Sequence, residues 1–222
     1  MILFCGDPHG QFASCLSRAE QARPEHIVLL GDQTPHRPLK IILGDWWQRT
    51  WFILGNHDTD APEYLVCHRG DMWEHNLHAH VQVLGGLRVA GLGGVFRERV
   101  WYPGKAPRFR TRAQMREHVR PVQRFLDDVP LTHWSTIFPE DIEALREQKA
   151  DILVTHEAPE SHPYGFSAIG DLARSMGVEH LIHGHHHEEN YTVWIKGGIS
   201  VWGVNVNDTL LWPGNLMSGE AV

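Results

Sequence analysis

The sequence predicts an α/β protein built on mixed sheets, and three observations carry that reading. Short apolar runs of strand length recur and close on glycine or a polar residue. The earliest runs are spaced as parallel neighbours. Later Gly-Gly and Asn-Asp pairs mark antiparallel turns.

The runs are "ILFCG" before Asp7, "IVLLG" before Asp32, "WFILG" before Asn56, "ILVT" before His156 and "LIHG" before His185. Their length, their β-branched and aromatic content and their abrupt ends identify buried strands without any alternation of polarity. Asp7, Asp32 and Asn56 stand 25 and 24 positions apart, which leaves room for a crossover between parallel strands. A crossover helix is predicted over Gln11–Ala22, where Phe12, Cys15, Leu16 and Ala19 share one helical face. The second crossover, Gln33–Arg49, carries Pro35 and Pro38 and reads as irregular. "VQVLGGLRVAGLGG" after His80 predicts two strands joined at Gly85-Gly86. From Ile195 to Leu211, turns at Gly197-Gly198 and Asn207-Asp208 predict further antiparallel strands.

The 222 residues, 42% hydrophobic and 21% charged, suit one packed unit spanning 1–222. A net charge of −7 argues against a general nucleic-acid coat. Three cysteines with no C-x-x-C spacing read as reduced thiols of a cytoplasmic protein. The opening apolar run stops at Gly6-Asp7, too short for a signal-peptide core or a membrane span. One segment stands apart: Phe96–Arg124 holds nine Arg/Lys against two Glu. It is expected to form a basic insert or lid at about 96–125, with an arginine-rich helix from about Thr111 to Phe125 and a solvated face as the plainer alternative.

Ligands of open α/β sheets bind beyond the carboxyl ends of the strands. That rule gathers Asp7, His9, Asp32, Asn56, His57, His156, His185 and His187 at one edge. Carboxylate, amide oxygen and imidazole without thiolate suit Mn, Fe, Zn or similar divalent ions, and one Asp has enough lone pairs to serve two of them. Each residue alone has a structural explanation: Asp32 as a turn residue, His156 as a satisfied strand-end histidine, Asn56 as a left-handed turn former. Together they would require several coincidences at corresponding places. Elsewhere, His183 reads as a strand histidine, His186 as facing outward or touching substrate, and His75, His78 and His80 as a surface loop. "GLGG" at 91–94 reads as a tight turn, because Phe96 stands where G-x-G-x-x-G requires its last glycine.

"GDPHG" at 6–10, "GD" at 31–32, "GNHD" at 55–58, the lone His156 and "GHHH" at 184–187 occur in the order found in calcineurin-like metallophosphoesterases, and the chain resembles that family over roughly residues 1–190. The resemblance implies a four-layer αββα sandwich. It implies one metal on Asp7, His9, Asp32 and His187 and a second on Asp32, Asn56, His156 and His185. It further implies a phosphomonoesterase or phosphodiesterase in which hydroxide between two divalent ions attacks phosphorus. His57 is expected as general acid, with Asp58 orienting its ring. Arg108, Arg110 and Arg112 are expected to bind further substrate phosphates. A departure is Pro35, which stands where the family's G-D-x-x-D has its second Asp. A non-catalytic metal-binding scaffold of the same fold is the alternative, and a nuclease is a third reading supported only by the basic segment; no membrane partner is expected, and oligomeric state is not legible.

Overall fold

The computed structural model describes residues 1–212, so the expected single unit, ending at Val222, extends past the described residues. Strands β1 (Ile2–Cys5), β2 (His26–Leu29) and β3 (Thr50–Phe52) are parallel neighbours, and β10 (Thr209–Trp212) lies antiparallel beside β1. A second sheet runs in the order β4 (Val81–Leu84), β5 (Leu87–Leu92), β6 (Ile152–Thr155), β7 (His180–His183), β9 (Ile199–Gly203), β8 (Tyr191–Ile195). In it β5, β6, β7 and β9 are parallel, while β4 and β8 close the edges antiparallel.

The unbroken apolar runs follow from burial on both faces. In β1, Ile2 and Phe4 point between the two sheets, joining Val28, Leu30, Ile53, Val154 and Ile182 in one core. Leu3 and Cys5 point the other way, into the core shared with α1 (Ala13–Ala22), α2 (Leu39–Leu43) and α3 (Pro62–Cys67). Across the sandwich, Leu153, Leu181 and Val201 pack against α5 (Pro139–Arg146) and α6 (Ser167–Met176). Three apolar layers separate four layers of secondary structure, which is the αββα arrangement. Residues alternate between two dry faces, so polarity cannot alternate.

Several expectations are refined. The first crossover helix starts at Ala13 rather than Gln11. Gly85 and Gly86 both take left-handed φ values, 55° and 84°, in the β4–β5 hairpin, as a two-residue turn requires. Asn207-Asp208 does turn the chain, but β9 and β10 do not pair, because β10 crosses to the other sheet. Cys5 and Cys15, expected as free thiols, are joined by a disulfide: strand and crossover helix pack closely enough to set their Cα atoms 6.0 Å apart, within bridging range. The arginine-rich helix, α4 (Arg112–His118), is shorter than expected, since Pro121 prevents its continuation. Its segment packs a small core of its own from Val100, Phe109, Met115, Val129 and Phe138. No helix among the described residues is long and apolar enough to cross a membrane.

Phe4 is fully buried between the sheets. Phe4→Ala is expected to lower unfolding free energy by about 3–5 kcal/mol, measured as a lower urea midpoint with unchanged slope.

Candidate metal centre

Each strand-end motif leaves its sheet by an abrupt turn. Asp7, His9, Asp32, His185 and His187 have φ values of 23°, 43°, 49°, 75° and 51°, a left-handed region that costs a non-glycine residue about 1–3 kcal/mol. Hydrogen bonds between the loops hold them there. The His9 and Gly10 amides donate to the carbonyls of Asp32 and Gln33, each at 2.9 Å. The His57 amide donates to Asp32 Oδ1 at 2.7 Å, and the His185 amide to Asp7 Oδ2 at 2.7 Å.

Asp32 thus keeps Oδ2 for the cluster, 3.5 Å from His156 Nε2 and 4.0 Å from His9 Nε2, while Asp7 Oδ2, besides accepting the His185 amide, lies 3.2 Å from His187 Nε2. Asp7 Oδ1 and Asp32 Oδ2 are buried and lack a hydrogen-bond partner. Around them, one ligand atom each from Asp7, His9, Asp32 and His187 lies within 4.8 Å of the others, and Asp32, His156 and His185 form a second such group. Asn56 joins the second group, its Oδ1 3.0 Å from His156 Nε2. The two groups share Asp32. His9 Nε2 and His187 Nε2 face each other at 3.3 Å, a distance two imidazoles tolerate when a proton or a cation lies between their lone pairs. Unpartnered buried carboxylate oxygens beside paired imidazole nitrogens fit divalent cations.

The electrostatics agree with that fit. Burial opposes charge on both Asp32 and His156, yet their mutual attraction dominates: Asp32 is held well below the usual carboxylate range, and His156 is pushed up to about 10. His156 Nδ1 lies 2.9 Å from the Leu30 carbonyl, which fixes the proton on that nitrogen and turns Nε2 toward Asp32. Burial, followed by the neighbouring His156, pushes His185 down to about 3 and keeps it neutral.

Two glycines make room for this arrangement. A Cβ at Gly31 would lie 2.2 Å from His156 Nδ1, and one at Gly55 would lie 2.2 Å from Asp32 Oδ1. Beneath them, the buried Gln33 donates to the Ile53 carbonyl at 3.2 Å and meets His68 Nε2 at 2.9 Å.

Asp58, expected to orient His57, does something else. Its carboxylate is fully buried and accepts the amides of Thr34 at 2.7 Å and Gly55 at 2.9 Å, tying the two loops together. Burial, then the nearby Asp32, pushes it up to about 8. His57 is half-exposed, and its Nδ1 lies 2.6 Å from Asp60 Oδ2. The orienting acid is therefore Asp60, one helical turn on and on the open side of the loop.

Arg108, Arg110 and Arg112, expected at the pocket, are engaged elsewhere. Arg108 lies over Phe109, and Arg110 pairs with Glu143. Arg112 lies 3.7 Å from Asp128 and lines a separate cavity of about 410 Å³ with His78, Trp73 and Trp134. Hydrophobic anchoring of α4 directs these side chains away from the strand ends. The arginine that does reach the site is Arg97. Its guanidinium donates to Thr136 Oγ1 at 3.1 Å and Ser135 Oγ at 3.4 Å; burial lowers it, while the charges of Asp60, Glu157 and Asp32 support it. Arg97 follows β5, whose parallel pairing with β6 brings its carboxyl end to the same edge as the other candidates.

His183, His75 and His78 have structural partners. His183 lies in β7, 2.6 Å from the Tyr191 hydroxyl, and burial pushes it down to about 4. His75 and His78 are half-buried rather than free in a surface loop: His75 stacks on Trp51 and meets the Thr50 carbonyl, and His78 bridges the Gly93 amide and Asp141.

A two-sheet sandwich that collects carboxylates and imidazoles at the carboxyl ends of its strands is the architecture of a metal-dependent hydrolase. The chain belongs to the calcineurin-like phosphoesterase family, whose profile matches residues 1–189. It is thus a hydrolase acting on phosphate esters by metal-dependent chemistry. An uncharacterized protein of Haemophilus influenzae is 39% identical over 203 residues, covering 88% of this chain and 87% of that protein. In fold, the chain is similar to TT1561 of Thermus thermophilus, with a TM-score of 0.57 at 16% identity over 93% of this chain and 89% of that one. It is also similar in fold to a dimetal phosphatase from Danio rerio, with a TM-score of 0.53 at 11% identity over 93% and 88% of the two chains.

Gly55→Ala places a methyl group against Asp32 and His156. It is expected to weaken metal binding at least about tenfold while leaving far-UV circular dichroism unchanged, a pairing read by titrating the variant with Mn²⁺.

Proposed function

We propose that Asp7, His9, Asp32 and His187 hold one divalent ion, that Asp32, Asn56, His156 and His185 hold another, and that the chain cleaves phosphomonoesters or phosphodiesters there. The observation that carries this reading is the unpartnered Asp32 Oδ2, set between the two donor groups. Two such ions supply Lewis acidity and an activated water for in-line displacement at phosphorus.

The chain's own residues do the rest. Arg97, fixed by Ser135 and Thr136, presents a planar fork of donors that suits two phosphoryl oxygens. His57 sits at the open side, its ring 5.5 Å from that of His9. Asp60 holds Nδ1, which leaves Nε2 to deliver a proton to the departing oxygen. Glu157 accepts the Phe96 amide at 3.1 Å and helps anchor the chain on which Arg97 is mounted.

With Mn²⁺ present, hydrolysis of p-nitrophenyl phosphate or bis(p-nitrophenyl) phosphate is expected, and the preferred ester separates monoesterase from diesterase. No turnover of either with both ions bound would favour a binding scaffold. His57→Ala is expected to retain both ions and lose about 10²–10⁴-fold in kcat; loss of an ion would make it a ligand instead. Arg97→Ala is expected to raise KM about tenfold or more for the loss of a charge-assisted contact. The combined Arg108, Arg110 and Arg112 substitution to Ala is expected to leave KM for these small esters unchanged, since these side chains are engaged elsewhere.

A further inference from the structure

His186 has no task in the paired arrangement, yet it is not a solvated histidine. Its Nε2 is buried without a hydrogen-bond partner, and its ring stacks on His162 with centroids 3.7 Å apart and planes 20° apart. His162 is itself buried, with Nε2 3.3 Å from Glu188. Beside this pair lies Glu157. One of its oxygens accepts the Phe96 amide, and the other lies 3.9 Å from His185 Nε2.

One ligand atom each from Glu157, His185 and His186 lies within 4.8 Å of the others. A carboxylate with two imidazoles is a donor set for a divalent transition ion. His185 also belongs to the group formed with Asp32 and His156. A neutral imidazole offers one lone pair, so an ion held by His185 in one group denies that ligand to the other. Glu157 and Asp32 are both buried, and the outer group is the more open one at His186, which is half-buried where His156 is fully buried, with Glu188 beyond it exposed.

We propose that Glu157, His185 and His186 form an entry position for a divalent transition-metal ion, which then passes inward to Asp32, Asn56 and His156 while keeping His185 as a ligand. This rests on the paired-ion reading above. Exchanging one ligand at a time spares the ion a passage without protein donors, and the Glu157 carboxylate offsets part of its charge until Asp32 replaces it. His162 is the positioning residue, since its ring holds that of His186. Once the inner position is filled, the entry position lacks His185 and releases any further ion. The protein therefore saturates at two ions, with three histidines in a row because the middle one serves loading.

The test uses metal-free protein and Co²⁺ alone, followed by stopped-flow visible absorbance for rate and by elemental analysis for stoichiometry. Wild type is expected to bind two Co²⁺ per chain. Glu157→Gln, which keeps the acceptor for the Phe96 amide, and His186→Asn are each expected to bind two as well, but to take up the second about tenfold or more slowly. Unchanged uptake in both variants overturns the proposal. So does a third equivalent in wild type, which would make the group an independent site, or loss of an ion at saturation in either variant, which would make these residues ligands of the pair. A wild type that binds fewer than two ions overturns the paired-ion reading, and this inference with it. Circular dichroism of each variant confirms that a slowed uptake does not reflect misfolding.

Discussion

The buried carboxylate of Asp32 is the constraint to which the rest of the site answers. An ionised acid removed from water is costly unless opposite charge and hydrogen bonds surround it. Here one oxygen takes the His57 amide, and the other faces His156 at 3.5 Å and His9 at 4.0 Å. A proton on His156 satisfies the acid in one way and divalent ions satisfy it in another, so protons and metal compete for the same charge. The stem of that acid is held by β2, which is dry on both faces, and this is why the carboxylate stays in place.

Holding donors at that point demands backbone that most residues avoid. Five candidate ligands adopt left-handed φ values, and the surrounding loops stabilise them through mutual hydrogen bonds rather than through the ligands alone. Asp58 ties the second and third loops to each other from below. The buried Gln33 and His68 continue that support next to Pro35. Pro35 replaces an acid of the related motif without disturbing the donor groups, because Asp32 is oriented by the His57 amide of the neighbouring loop.

Much of this is legible in the sequence because buried parallel strands write themselves as continuous apolar runs, and because glycine must stand wherever a loop passes within a side chain's width of an acid. Gly31 and Gly55 mark such passages. Reading the apolar runs as strands and looking beyond their carboxyl ends places Asp7, His9, Asp32, Asn56, His57, His156, His185 and His187 at one edge, and the donor groups do form there. What cannot be read depends on side-chain direction. Asp58 and Asp60 are both acids near His57, and only the turn of the helix decides which one faces it. The arginines from Arg108 to Arg112 are numerous, but Phe109 and Met115 bury their segment in a satellite core and aim the charges away. Arg97 escapes a sequence reading because β5 looks like half of a hairpin with β4; its parallel pairing with β6 joins Val89 to Ile152, 63 positions on, a distance that local patterns do not report.

The shared role of Asp32 separates a paired centre from two neighbouring sites. The direct measurement is the metal content of Asp32→Asn against wild type, by elemental analysis after saturation with Mn²⁺ and removal of free ion. The account expects two ions per chain in wild type and near-complete loss of both in the variant, since amide oxygen replaces the donor common to the two groups. A variant that retains one ion at wild-type affinity would show that Asp32 serves a single site, and would contradict the account.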